Sequence, residues 1–84
     1  SLKTIYHPAY VALIDHLIEI RRQRSLTQAQ LAEQFGKHQS YVAKVEGCER
    51  KLDILELVEW CAVLGISASE CVRDVERAML LCSH

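Results

Sequence analysis

Residues 27–46 read Thr27-Gln28-Ala29-Gln30-Leu31-Ala32-Glu33-Gln34-Phe35-Gly36-Lys37-His38-Gln39-Ser40-Tyr41-Val42-Ala43-Lys44-Val45-Glu46. Thr27 and Gln30 have the T-x-x-Q spacing of a capping box, in which each side chain satisfies a backbone N–H at a helix start. A helix therefore begins at about Gln28, with Leu31, Ala32 and Phe35 as its apolar stripe. Gly36 stops it, because glycine accepts the left-handed conformation found just past a helix end. After Lys37 a new helical period starts, carried by Tyr41, Val42 and Val45, and it ends near Gly47. Helices shorter than about 12 residues are marginal alone in water, so each must be held by the other and by further elements.

Those elements lie on both sides. Upstream, Pro8 suits a first helical turn, where its missing N–H has no partner to lose. Val11, Ile14, Leu17 and Ile18, with Ile20 or Arg21, then recur at three- and four-residue steps, and Arg21, Arg22 and Arg24 close the helix with the charge its C-terminus favours. Downstream, Asp53 with Glu56 forms another cap pair, and Ile54, Leu57, Val58, Cys61 and Leu64 form a stripe running to Gly65. Ser67 with Glu70 opens a last helix carrying Cys71, Val72, Val75, Ala78, Met79 and Cys82. No useful run alternates with period two, nothing repeats, and no linker divides the chain. The reading is all-α: five helices in one domain over residues 1–84, with half the residues apolar and a quarter charged.

Several function classes fall away. No stretch approaches the roughly 20 apolar residues of a membrane span, and no signal-peptide pattern opens the chain, so a cytoplasmic protein with no membrane partner is expected. There is no phosphate-binding glycine loop, G-x-S-x-G or H-E-x-x-H, and three glycines build no cofactor cradle. Neither an enzyme nor a cofactor is expected. Cys48, Cys61, Cys71 and Cys82 contain no C-x-x-C pair, and His7, His16 and His84 have no ligand spacing, so no metal site is expected either. Cys61 and Cys71 fall on apolar helical faces, where cysteine acts as a small buried hydrophobe, and reduced thiols are the expectation.

Two short helices joined by a glycine-containing turn form a helix-turn-helix arrangement. The stretch Thr27-Gln28-x-x-Leu31-Ala32-x-x-x-Gly36, followed by a helix ending Lys44-Val45-Glu46, resembles the phage repressor and Cro-like helix-turn-helix family. The resemblance runs from about residue 14 to 68 and takes in Arg21, Glu49-Arg50-Lys51-Leu52-Asp53 and Leu64-Gly65-Ile66-Ser67. This chain departs from the family in two places. Cys48 stands where a glycine is common two residues after the Glu, with Gly47 one position earlier; Lys37 follows the turn glycine where an apolar residue is common and is expected to face solvent or phosphate.

The resemblance implies a five-helix, lambda-repressor-like domain whose third helix, roughly His38 to Glu46, lies in the DNA major groove. Gln39 and Ser40 take the base-reading positions; a Gln can bond adenine N6 and N7 as a bidentate pair. Lys44, one turn on, reaches a guanine or a phosphate. Gln28 matches the family's phosphate-contacting Gln at the start of the second helix. Tyr41, Arg50 and Lys51 are further backbone-contact candidates, with Tyr41 equally readable as part of the core, and His38 as a cap or a contact. Arg21 is expected to pair with an acid such as Glu46, and Trp60 to serve in packing or at a dimer surface. A palindrome-binding homodimer follows from the family, with helix five, about 67–82, as the expected dimerisation helix and Trp60 as a further candidate beside it, because Ala78, Met79, Leu80, Leu81 and Cys82 are apolar almost all round. No small-molecule effector is evident. The expected role is a bacterial or phage transcription repressor or controller, nucleoid-associated in the cytoplasm; the alternative is a protein-interaction module or antitoxin-type subunit on the same fold.

The net charge of −1 is low for a nucleic-acid binder. Its distribution answers the objection. Residues 21–51 hold seven cations against three acids, a balance of +4, while the rest holds three against eight, or −5. The basic segment contains the proposed contacts, and such asymmetry orients one face toward phosphate.

Overall fold

Residues 4–82 are described in the computed structural model of the chain; His84 and the two ends of the 1–84 reading lie outside them. After a single 3-10 turn at Thr4–Tyr6, five helices follow: α1 (Pro8–Gln23), α2 (Gln28–Gln34), α3 (Gln39–Glu46), α4 (Ile54–Leu64) and α5 (Ala68–Cys82). There is no strand among the described residues. The helix starts follow local chemistry. Thr27 and Asp53 each accept a bond from the backbone N–H three residues on, and Gln30 and Glu56 return the bond to the cap residue. His7 and His38 cap α1 and α3 by accepting the N–H two residues on at Nδ1.

The first four helices end with one bond pattern. In α2, the N–H of Lys37 donates to Ala32 O and that of Gly36 to Glu33 O. Leu26 to Arg21, Glu49 to Lys44 and Ile66 to Cys61 repeat the longer bond in α1, α3 and α4. This closure needs one left-handed residue. In α2 and α4 it is Gly36 (φ +65°) and Gly65 (φ +73°); in α1 and α3 it is Ser25 (φ +58°) and Cys48 (φ +56°). The family's glycine position is therefore kept in backbone shape by Cys48, while Gly47 stays at φ −85°. A side chain in this region costs about 1–2 kcal/mol. Ser25 is exposed and has no packing to lose, so Ser25→Gly is expected to raise stability by about 1 kcal/mol, less the glycine's extra unfolded-state entropy. Urea denaturation of the two proteins measures it, and a destabilised variant refutes it.

One core joins all five helices: Ile14 and Leu17 from α1, Leu31 and Ala32 from α2, Val42 and Val45 from α3, Leu57, Trp60, Cys61 and Leu64 from α4, and Cys71 from α5. Ala32 is 1% exposed, which leaves no room for a larger side chain between the short helices. Ile54 and Val58, expected inward, are corrected: they are 63% and 50% exposed. Trp60, expected in packing or at a dimer surface, is 1% exposed and packs in the core, so its place at a dimer surface is the alternative that falls. Because α4 is apolar at nearly every position, periodicity left its inner face open. The indole decides it: Trp60 stacks on Phe35 with ring centroids 5.3 Å apart and donates Nε1–H to the Tyr41 hydroxyl at 3.0 Å. In α5 only Cys71 is fully buried, with Val75 and Ala78 half-buried and Val72 exposed.

Candidate nucleic-acid interface

A chain of hydrogen bonds runs from the core to the start of α3. Arg21 Nε and Nη2 donate to the two Glu46 oxygens at 2.6 and 2.9 Å, and its Nη1 donates to Leu26 O at 2.7 Å. The Arg21 and Glu46 side chains are 10% and 6% exposed, so both charges are largely dry and the forked geometry satisfies them together. Gln28 Nε2 also donates to Glu46 Oε1, at 2.9 Å, and Gln28 Oε1 accepts from Gln39 Nε2 at 2.8 Å. Each link orients the next. An ion pair between α1 and α3 sets the first side chain of α2, which in turn sets the first side chain of α3. One Gln39 N–H and its carbonyl oxygen remain to face outward, which is the donor–acceptor pair that an adenine edge matches.

A second cluster surrounds Tyr41, which is half-buried. Its hydroxyl accepts from Trp60 and donates to Glu56 Oε2 at 3.1 Å, while its ring lies edge-on to Phe35. The Arg50 guanidinium sits 4.9 Å and the Lys37 ammonium 5.6 Å from the ring centroid. Arg50 Nη1 also pairs with Glu56 Oε2 at 2.8 Å. Burial pushes the Glu56 carboxyl up, but the Asp53 N–H, Arg50 and the Tyr41 hydroxyl outweigh it and hold the group below the usual carboxylate range. Burial raises the Tyr41 phenol above its ordinary value, keeping it a neutral donor to Glu56. Tyr41 thus turns its hydroxyl inward and presents its ring and two cations outward.

The remaining sequence candidates fall as follows. Ser40 and Lys44, one turn apart on α3, are both exposed, as are Lys37, His38 and Gln39. His38 acts as the α3 cap, and the Ser40 hydroxyl lies 3.0 Å from its Nδ1. Lys51 is exposed and donates to the Thr4 hydroxyl. Gln28, half-buried, is tied on both sides by its bonds to Glu46 and Gln39. Glu56 and Trp60 were not among the sequence candidates, although they orient Tyr41 and Arg50. The D-x-x-E spacing gave Glu56 away only as a cap, and nothing local connects residue 60 to residue 41. Arg24, read as a charge for its own helix end, donates instead to Leu64 O at 3.1 Å and so caps α4.

Among the described residues no group of three or more His, Cys, Asp or Glu could hold a metal ion. No helix among them is long and apolar enough to cross a membrane.

Comparison with known proteins agrees with this geometry. The family described as Helix-turn-helix matches residues 17–71. The chain is also similar to a solved XRE-family like protein from Pseudomonas syringae pv. tomato str. DC3000, with 36% identity and a TM-score of 0.80 over 89% of this chain and 92% of that one. No curated protein matches it. The capped pair α2–α3, its place in a five-helix core and these similarities lead to one assignment: the chain belongs to the XRE-type helix-turn-helix family of DNA-binding transcription regulators.

Proposed function

We propose that the protein is a sequence-specific regulator, acting as a repressor or controller in the cytoplasm of a bacterium or phage-infected cell, that binds a palindromic operator as a homodimer. The observation that carries this reading is the Arg21–Glu46–Gln28–Gln39 chain, which holds a base-reading side chain in one pose at the exposed start of α3. Gln39 and Ser40 read base edges, Lys44 reaches a guanine or phosphate, and Gln28, Lys37, His38, Tyr41, Arg50 and Lys51 meet the backbone. Arg50 and Lys37 do so from the Tyr41 ring, where their charge is already held in place. A second copy suits the apolar side chains left outside the core on α4 and α5: Ile54, Leu55, Val58, Val72, Met79 and Leu81 are each about half exposed or more. Exposed large apolar side chains gathered on two neighbouring helices are what an association surface draws on. Trp60 takes no part in it.

Selection of bound duplexes from a random pool at two salt concentrations tests the reading, with an enriched two-fold sequence expected. Affinity should fall by about 0.9 log units per log unit of salt for each phosphate neutralised. Gln39→Ala is expected to cost about 1–3 kcal/mol and relax preference at one base position, while Lys44→Ala should weaken all duplexes alike if it meets phosphate and lower the salt slope by about one. Light scattering should report a dimer that Val58→Glu converts to monomer. If no duplex is enriched and Gln39→Ala changes nothing, the fold serves a protein partner instead.

A further inference from the structure

The thiols fall into two kinds. Cys82 is exposed and Cys48 half-buried, whereas Cys61 on α4 and Cys71 on α5 are buried, with their sulfurs 3.8 Å apart and the Cys61 S–H directed at the Cys71 sulfur. Neither takes part in the chain that leads to Gln39. We propose that Cys61 and Cys71 form an oxidation site for a peroxide-class oxidant, which converts the pair into an intrachain disulfide tying α4 to α5, with Cys71 the thiol that reacts first.

Three observations support the pairing and its order. The turn between the helices is only residues 65–67, and the two sulfurs already lie in contact at 3.8 Å, from which a disulfide needs a closer approach to about 2.05 Å. Cys71 lines a pocket of about 190 Å³ whose wall is mostly apolar, with His16 and the Asp74 carboxylate as its other titratable side chains. Cys61 does not line it. A single water needs roughly 10–15 Å³ of such space, so the pocket has room for a molecule the size of hydrogen peroxide. The Cys61 S–H bond to Cys71 favours the thiolate at Cys71, while burial, the neighbouring Cys71 charge and the donated hydrogen bond push Cys61 up to about 12.

In the first step the Cys71 thiolate attacks one peroxide oxygen, breaks the O–O bond and becomes a sulfenic acid, and the departing hydroxide takes a proton to become water. In the second, Cys61 sulfur attacks the Cys71 sulfur and expels hydroxide, which takes the Cys61 proton and leaves as a second water. Two thiols are oxidised by two electrons and one peroxide is reduced to two waters. Burial also raises the Cys71 thiol above its ordinary value, assisted by Asp74 and Glu70, so the reaction follows the small thiolate fraction. Its rate is expected to rise with pH between 7 and 9 as the thiolate fraction grows.

A Cys48→Ser/Cys82→Ser protein retains only this pair. Native protein treated with hydrogen peroxide is expected to lose both thiols together and the mass of two hydrogens, to yield a peptide cross-linked between 61 and 71, and to recover with dithiothreitol. Dimedone should then label Cys71 when Cys61→Ser is added, and leave Cys61 unlabelled when Cys71→Ser is added, with circular dichroism confirming both folds. The cross-link needs no change at either core cysteine, so it decides the pairing even if a core variant fails to fold. Both thiols staying free in the native protein under conditions that oxidise them in urea overturns the site, and dimedone on Cys61 in place of Cys71 overturns the order.

Discussion

Arg21→Ala is expected to destabilise the protein by about 3–5 kcal/mol, the cost of leaving a buried charge without its partner. The Glu46 carboxylate is only 6% exposed, and without the guanidinium it keeps one Gln28 N–H in place of a forked ion pair. A domain of this size has roughly 5–15 kcal/mol in total, so the variant sits near its unfolding threshold. Arg21→Lys recovers only part of the loss, because an ammonium cannot bond both carboxylate oxygens in a planar fork. Arg21→Met with Glu46→Leu separates the two roles of the pair. Replacing a buried ion pair by apolar groups is often neutral for stability, yet it removes the anchor of Gln28 and Gln39. Urea midpoints near the parent with weakened operator binding are the expected result. A single-variant loss below about 1 kcal/mol, the range of exposed pairs, would show that water reaches the bridge.

Trp60→Ala is the other large effect, expected at about 3–5 kcal/mol from lost burial and the cavity left behind. The indole touches two other aromatic rings, so the vacancy opens between α4 and the α2–α3 pair and should loosen the element that presents Gln39. Trp60→Phe keeps most of the volume and is expected to cost about 1 kcal/mol for the bond to the Tyr41 hydroxyl. Circular dichroism melts of both variants check the ranking; equal losses would mean that the hydrogen bond, not the packing, dominates.

The contrast between Arg21 and Trp60 shows where a linear reading reaches. Arg21–Glu46 was legible because an isolated cation on an apolar stripe needs an acid and the family resemblance placed one at the end of α3. Trp60 was not, because a helix apolar on nearly all sides has no period that singles out one face. Glu56 lay between these cases: its spacing from Asp53 announced a cap, and only the fold added Arg50 and Tyr41 to the same carboxylate. Cys48 shows a third situation. The sequence departs from glycine there, but the bond from Glu49 N–H to Lys44 O still requires a left-handed residue, and the backbone takes that shape at a strain cost.

What the sequence by itself determined is the set of five helices, the capping boxes at Thr27 and Asp53 and the T-Q-x-x-L-A-x-x-x-G pair. Capping, termination and helical period act between residues a few positions apart, and a chain carries that information in order. What only the tertiary structure decided is which side of α4 is dry, that Gln39 is steered through Gln28 and Glu46 by a charge in α1, and that two cysteines ten residues apart meet sulfur to sulfur. Those facts rest on packing between distant segments, where every side chain's place depends on the volume and bonding of neighbours that spacing along the chain does not encode.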